Sequence, residues 1–195
     1  SRVNWQSHQP PRLLVLGGSQ GARFLNDTVP KACALLAGKG LMFVVSHVAG
    51  PDADGIQAVK KAYAEADIDA EVIGFCDNMP DFYASGDLLV ARAGAMTVSE
   101  TAMCGMPCIF IPLPHAADQH QLHNARSMAE AGGARVVEQH DASPDQLATL
   151  LKTLLFDHEI LAAMSRHAHN VAPLDAREKQ LAVLGKVLGL REKAA

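Results

Sequence analysis

Short apolar segments alternate along the chain with longer segments in which apolar residues recur every three to four positions. The short segments have the length and β-branched content of strands, and the longer ones have the period of helices. The predicted strands are 12–17, 41–48, 71–75, 87–91, 107–111 and 134–138. The helices predicted between them are 22–36, 54–66, 79–84, 97–104 and 120–131.

Two of the predicted strands contain runs that are apolar throughout, LLVL at 13–16 and CIFI at 108–111. Strands that are apolar on both faces are typical of a parallel sheet covered by helices on both sides. Together with the alternation of strands and helices, this pattern predicts an α/β fold, a Rossmann-like doubly wound parallel sheet of about six strands. In such sheets ligands bind beyond the carboxyl ends of the strands, where loops lead into helices.

The C-terminal third of the chain has a helical pattern. Ser143 and Gln146 are spaced as a capping box, with Pro144 at the first helical position, and leucines then recur at helical spacing. Pro173 interrupts the pattern before a last predicted helix over 174–188. The expected organisation is a linker (1–11), one ligand-binding domain (12–172), and a C-terminal helix and tail (173–195).

Charge and composition restrict the possible functions. The net charge is −4 and the pI is about 6.1, which disfavours nucleic acid as a partner. The four cysteines lie in apolar runs without a CxxC pair, as expected of reduced core thiols in a cytoplasmic protein. No apolar run approaches the ~18 residues that are needed to span a bilayer.

The first candidate site is the segment GGSQGAR at 17–23, directly after the first predicted strand. Its glycines permit a tight turn, and the following helix start offers amides to a phosphate. It also matches GxSxG, the nucleophile elbow of α/β-hydrolases, with Ser19 as nucleophile and His115, His120 or His123 as base. A turn without a ligand is the third interpretation. An elbow on the first strand, however, leaves no earlier loop to supply an oxyanion donor.

The second candidate site is RAGAMTVSE at 92–100, after the fourth predicted strand. Gly94 and Ala95 allow close backbone approach, and Thr97 is placed to cap the following helix, whose free amides suit a phosphate. Glu100 has two interpretations from spacing alone. It accepts hydrogen bonds from a ribose diol, or it is the capping-box partner of Thr97, because Thr-x-x-Glu fits that pattern.

The third candidate site is HAADQHQLHN at 115–124, whose side chains offer the mixed donors and acceptors that sugar hydroxyls require. His120 and His123 are one helical turn apart, but no carboxylate stands at a usual ligand spacing, so a metal site is disfavoured. The two DxD patterns, at 52–54 and 67–69, flank a predicted helix and fit capping and turn positions better than metal ligands. No cofactor is expected.

Taken in order, these segments resemble the C-terminal domain of the MurG-type peptidoglycan N-acetylglucosaminyltransferases. The resemblance covers most of the chain and is most specific in GGSQGAR with the following Leu25 and Asn26, in RAGAMTVSE, and in HAADQHQLHNA. The family has a two-domain GT-B fold, in which the C-terminal domain holds UDP-GlcNAc and the N-terminal domain receives the lipid-linked acceptor. The resemblance therefore implies that this chain is the donor-binding half.

The resemblance also implies roles for individual residues. The positions that match the family's donor site are Gly18, Ser19, Gln20, Phe75, Cys76, Ala95, Met96, Thr97, Val98, Ser99, Glu100, His120 and Gln121. Of these, Ser19 would contact the nucleotide-sugar near its phosphates, and Phe75 and Cys76 would flank the uracil. Residues 95–100 would form the phosphate-binding turn, with Glu100 on the ribose hydroxyls. His120 and Gln121 would hold the GlcNAc hydroxyls, and Arg92 is expected to be structural.

The implied reaction transfers GlcNAc, with inversion, to the C4 hydroxyl of MurNAc in lipid I, and it forms lipid II. No catalytic residue is assigned here, because the general base, the acceptor site and the membrane contact belong to the family's N-terminal domain. The implied parent enzyme is cytoplasmic and peripheral on the inner face of the bacterial plasma membrane.

Neither the family's N-terminal domain nor its Asn-Pro-Val-Arg linker signature occurs in this sequence. We therefore expect a fragment or an isolated domain that binds the donor without turnover. UDP-GlcNAc 2-epimerases share the GT-B architecture, so an epimerase-like or non-catalytic nucleotide-sugar-binding module stays open as an alternative.

Overall fold

The structure, a computed structural model, describes residues 8–17, 23–114 and 119–171. Within these ranges the chain forms six strands: β1 (Arg12–Leu16), β2 (Val44–Val48), β3 (Ala70–Ile73), β4 (Leu88–Ala91), β5 (Cys108–Phe110) and β6 (Ala134–Val136). The helices of the same ranges are α1 (Arg23–Ala37), α2 (Ala53–Glu65), α3 (Met79–Ala84), α4 (Ala95–Cys104), α5 (Gln119–Glu130), α6 (Pro144–Leu155) and α7 (His158–Asn170).

All strands of the sheet are parallel, in the order β3-β2-β1-β4-β5-β6, which confirms the predicted doubly wound α/β fold. Leu16 pairs with both Val48 and Ala91, and Ala91 pairs with Phe110. The loops that follow β1, β4 and β5 therefore start side by side at one edge of the sheet. Between β1 and β4 the strand order reverses, and ligands of open α/β sheets bind at this point.

Both faces of the sheet are buried, as the apolar strands predict. Leu13 and Val15 of β1 pack in one core cluster with residues of α1, α2 and α6. Leu14 and Leu16 pack in a second cluster with residues of α3, α4 and α5. Because successive side chains of a strand point to opposite faces, both sets are removed from water at once.

The caps of α6 and α2 fall where the turn residues of the sequence place them. The capping box of Ser143 and Gln146 forms at the start of α6. Asp52 caps α2 by accepting a hydrogen bond of 3.2 Å from the backbone N–H of Gly55. Asp67 lies in a turn with a left-handed φ of 54°. A capping role is thus confirmed for Asp52 and a turn position for Asp67, one residue of each DxD pattern.

The second strand starts at Val44, three residues later than predicted. The backbone N–H of Val44 donates to the carbonyl of Pro11, at 3.0 Å, and proline has no N–H with which to continue the ladder.

The helix α7 belongs to the C-terminal third that the sequence predicts to be helical, although the hydrophobic pattern gives no bounds for it. The last predicted helix, 174–188, lies outside the described residues.

Candidate functional site

The loop after β4 leads directly into helix α4, and Gly94 occupies its N-cap. Gly94 is extended, with φ −61° and ψ 147°, and its carbonyl accepts the hydrogen bond from Val98 N–H at 2.9 Å. The helix therefore starts at Ala95, two residues before the predicted start, and Thr97 lies inside its first turn. The interpretation of Thr97 as cap and Glu100 as its capping-box partner is wrong, because Gly94 takes the cap position.

The first turn of α4 presents main-chain donors that no other described residue pairs. The N–H groups of Ala95, Met96 and Thr97 precede the first intrahelical hydrogen bond, and no side chain of the described residues caps this helix. Ala95 is exposed, and Met96 is 76% exposed. The side chain of Val98 is buried in the core and its N–H already donates to Gly94, so within 95–100 the main-chain donors that the helix leaves unused are these three. Such a helix start attracts an anion.

Glu100 lies on the side of α4 that faces α3. Its Oε2 accepts a hydrogen bond of 2.9 Å from the hydroxyl of Tyr83, a residue that is only 1% exposed. Burial, and then the neighbouring Glu100 carboxylate, raise the pKa of the Tyr83 hydroxyl, so it stays protonated and remains a donor. Glu100 is half-buried, and no donor within the described ranges pairs with its Oε1. One carboxylate oxygen is thus fixed and the other is available.

Arg92 fixes the loop after β4 to the loop after β5. Its Nη1 donates to the carbonyls of Ile111 and Pro112, at 2.9 and 3.2 Å, and its Nη2 donates to Gln139 at 2.7 Å. The guanidinium carbon lies 5.7 Å from the ring centroid of Phe24. These contacts agree with the structural role expected for Arg92.

Phe75 and Cys76 lie in the loop after β3 and differ in exposure. Phe75 is 68% exposed, so its ring is available to stack on a flat ligand. Cys76 is half-buried and its side chain packs against the second core cluster.

Gln121 lies in the first turn of α5, and its Oε1 accepts a hydrogen bond of 3.4 Å from the backbone N–H of Leu113. It therefore stands beside the loop that follows β5. The side chain of His120 lies outside the described residues, as do Gly18, Ser19, Gln20 and the stretch 115–118. The predicted roles of these residues stay predictions.

Comparison with known proteins identifies the family. The model of the glycosyltransferase family 28 C-terminal domain matches residues 12–181. The chain belongs to this family. A curated relative from Chromohalobacter salexigens, named UDP-N-acetylglucosamine--N-acetylmuramyl-(pentapeptide) pyrophosphoryl-undecaprenol N-acetylglucosamine transferase, is 45% identical over 174 residues, which are 89% of this chain and 47% of the relative. The chain spans about half the length of the curated relatives it matches.

Solved structures agree with this assignment. The crystal structure of Acinetobacter baumannii MurG has a TM-score of 0.83 and 32% identity, and the match covers 93% of this chain and 51% of that one. A Listeria monocytogenes protein described as a candidate UDP-N-acetylglucosamine 2-epimerase has a TM-score of 0.64 at 12% identity, covering 94% and 46%. The second likeness shows the shared fold alone. The resemblance to the C-terminal domain of MurG-type transferases is confirmed.

This family 28 domain also contains a buried polar network that the motifs did not predict. The ring of His47 is fully buried, with Nδ1 3.0 Å from the hydroxyl of Tyr63 and Nε2 3.0 Å from Asn26 Oδ1. The amide of Asn26 donates to the carbonyl of Ala49 at 2.9 Å. The network joins the first turn of α1 to the end of β2, and thereby supports the helix that follows the glycine-rich segment.

The His47 network implies a pH dependence of stability. Burial lowers the pKa of His47 from near 6.5 to about 3, because the charged ring is poorly solvated there. Between these values the unfolded chain binds a proton that the folded chain does not, so stability falls as the pH falls from about 6.5 to about 3. The free energy of unfolding should fall by up to about 1.4 kcal/mol per pH unit from this residue.

Urea denaturation of the chain and of its His47→Gln variant, from pH 7 to 4.5, measures this contribution. Glutamine keeps a donor and an acceptor but does not titrate, and all other groups are shared. We expect the difference in unfolding free energy between the two proteins to shrink as the pH is lowered. A constant difference would mean that His47 titrates normally in the folded state.

Within the described residues, no group of three or more His, Cys, Asp or Glu side chains is arranged to hold a metal ion. In the same part of the chain, no helix combines the length and apolar character that crossing a membrane requires.

Proposed function

We propose that this chain is the donor-binding domain of an N-acetylglucosaminyltransferase and that it holds UDP-GlcNAc at the carboxyl edge of its sheet. The observation that carries the proposal is the uncapped start of α4, beside the end of β1, with Glu100 less than two turns further on. Unpaired amides suit a diphosphate, and a carboxylate suits a ribose diol. Identity of 45% to a relative named for this transfer supports the choice of donor.

The order of the elements suggests how the donor lies. Phe75 lies in the loop after β3, and Glu100 faces α3, the helix that follows this loop. A ribose on Glu100 therefore lies between the uracil, at Phe75, and a diphosphate at the start of α4. Gln121 lies in the opposite direction, beside the loop after β5, where the GlcNAc would be placed.

The chemistry that the site supports is departure of UDP. The C4 hydroxyl of the acceptor MurNAc attacks C1 of GlcNAc with inversion, and negative charge grows on the diphosphate as the bond to C1 breaks. The amides of Ala95, Met96 and Thr97 are already oriented to stabilise that charge. Removal of one such donor typically costs about 3–4 kcal/mol of barrier.

The remaining functions of the parent enzyme are proposed for the part beyond this chain. They include the general base, the lipid I acceptor site and the peripheral contact with the inner face of the plasma membrane. The epimerase-like alternative is less well supported, since the identity to the Listeria protein is 12% against 45% for the transferase relative.

Calorimetric titration of the 195-residue chain with UDP-GlcNAc tests the proposal. We expect binding of UDP-GlcNAc and of UDP, weaker binding of ADP, and no release of UDP over time without an acceptor. A folded chain that binds neither uridine nucleotide, or that prefers ADP, would contradict it. Labelling of Ser19 by a fluorophosphonate would favour a hydrolase instead, and conversion of UDP-GlcNAc to a 2-epimer would favour the epimerase alternative.

A further inference from the structure

The contact between Tyr83 and Glu100 links two helices that the proposed donor site uses separately. Tyr83 belongs to α3, which follows the Phe75 loop, and Glu100 belongs to α4, whose first turn offers the free amides. Their hydrogen bond of 2.9 Å spans 17 positions of the sequence. It therefore fixes the carboxylate relative to both loops.

The ring of Tyr83 is held rigidly in the core. It is almost fully buried in the second cluster and makes an edge contact with Phe82, with ring centroids 6.0 Å apart. The start of α3 is fixed in turn by Asn78, whose side chain accepts from Asp81 N–H. The Tyr83 hydroxyl is thus a donor in a set position rather than a mobile surface group.

A glutamate on a helix surface otherwise loses considerable rotamer freedom when it binds a ligand. The Tyr83 hydroxyl removes much of that freedom before any ligand arrives, because it holds Oε2 and leaves Oε1 available. Preorganisation of this kind raises affinity without adding a contact to the ligand.

We infer that Tyr83 is a positioning residue, which orients the Glu100 carboxylate towards the 2′- and 3′-hydroxyls and so sets the preference for ribonucleotides. The inference rests on the proposed function. Tyr83 needs no contact with the donor, and its removal should affect only ligands that carry the diol.

The test compares UDP with 2′,3′-dideoxy-UDP in calorimetric titrations of the chain and of Tyr83→Phe. We expect the unchanged chain to prefer UDP, and Tyr83→Phe to lose about five- to tenfold of UDP affinity while dideoxy-UDP affinity stays the same. An equal loss for both nucleotides would show a general structural defect and overturn the inference. A Tyr83→Phe variant that binds UDP as tightly as the unchanged chain would overturn it as well.

Two further variants control the test. Tyr63→Phe removes a buried tyrosine hydroxyl on the other face of the sheet, where it contacts His47, and should leave the preference for UDP unchanged. Tyr83→Met removes the same hydroxyl with a different side-chain shape and should reproduce the loss, with folding checked by thermal unfolding.

If the unchanged chain binds no uridine nucleotide, the proposed function fails. If it binds both nucleotides equally, the positioning role alone fails.

Discussion

Glu100→Gln should lower the affinity of this chain for UDP by about 10- to 50-fold, with little change in stability. The carboxylate can accept hydrogen bonds from both ribose hydroxyls, and bonds to a charged acceptor are worth about 1.5–3 kcal/mol against about 0.5–1.5 for neutral ones. Glutamine has nearly the same shape and keeps a carbonyl oxygen for the Tyr83 hydroxyl. Titration calorimetry measures the affinity, and thermal unfolding measures the stability.

Glu130→Gln is the matched control, because Glu130 is exposed at the end of α5 and the variant makes the same change of charge. It should leave UDP affinity unchanged. Glu100→Ala is less informative, because it leaves the buried Tyr83 hydroxyl unpaired, at a cost of about 1–3 kcal/mol. Unchanged affinity in Glu100→Gln, together with a clear loss of stability, would give Glu100 a purely structural role.

Gly133→Ala should destabilise the fold by about 3 kcal/mol. Gly133 is buried between α5 and β6, and a Cβ there would lie 2.6 Å from both the N and the Cα of Ala168 in α7. Those are backbone atoms, so the whole helix would have to shift, and such overpacking typically costs about 1–3 kcal/mol or more. The melting temperature should fall by roughly 6–12 °C for a chain of this size.

Gly94→Ala provides the control for that substitution. The nearest atom to a Cβ at Gly94 is Thr97 Oγ1 at 3.9 Å, and its φ of −61° suits alanine. Its stability should stay within about 1 kcal/mol, the usual cost at a helix N-cap. If Gly133→Ala were as stable as the unchanged chain in urea denaturation, the close packing of α7 on the turn before β6 would be incorrect.

The hydrophobic pattern was sufficient to predict the sheet, since strands such as LLVL bury both faces and keep their character without knowledge of their partners. Strand order could not be predicted in the same way. The pairing of Leu16 with Ala91 joins positions 75 residues apart, and it depends on packing rather than on local propensity. The predicted start of β2 is too early, because the apolar run begins three residues before Val44. Pairing with β1 begins only at Val44, since Pro11 has no N–H to extend the ladder further.

The site was predictable where a motif follows a strand directly, and less so where distant side chains meet. Thr-x-x-Glu is a local pattern, and it failed because Gly94 takes the cap and moves the helix start by two residues. The bond between Tyr83 and Glu100 joins separate helices, for which the sequence has no signal. His47 lies in an apolar strand and gives no sign that its ring is buried in a polar network.

The crystal structure of the chain with bound UDP tests the central claim most directly. We predict the diphosphate within hydrogen-bonding distance of the amides of Ala95, Met96 and Thr97, next to the end of β1, with the ribose hydroxyls on Glu100. Density for UDP at another edge of the fold, or a diphosphate that leaves these amides unpaired, would contradict the account.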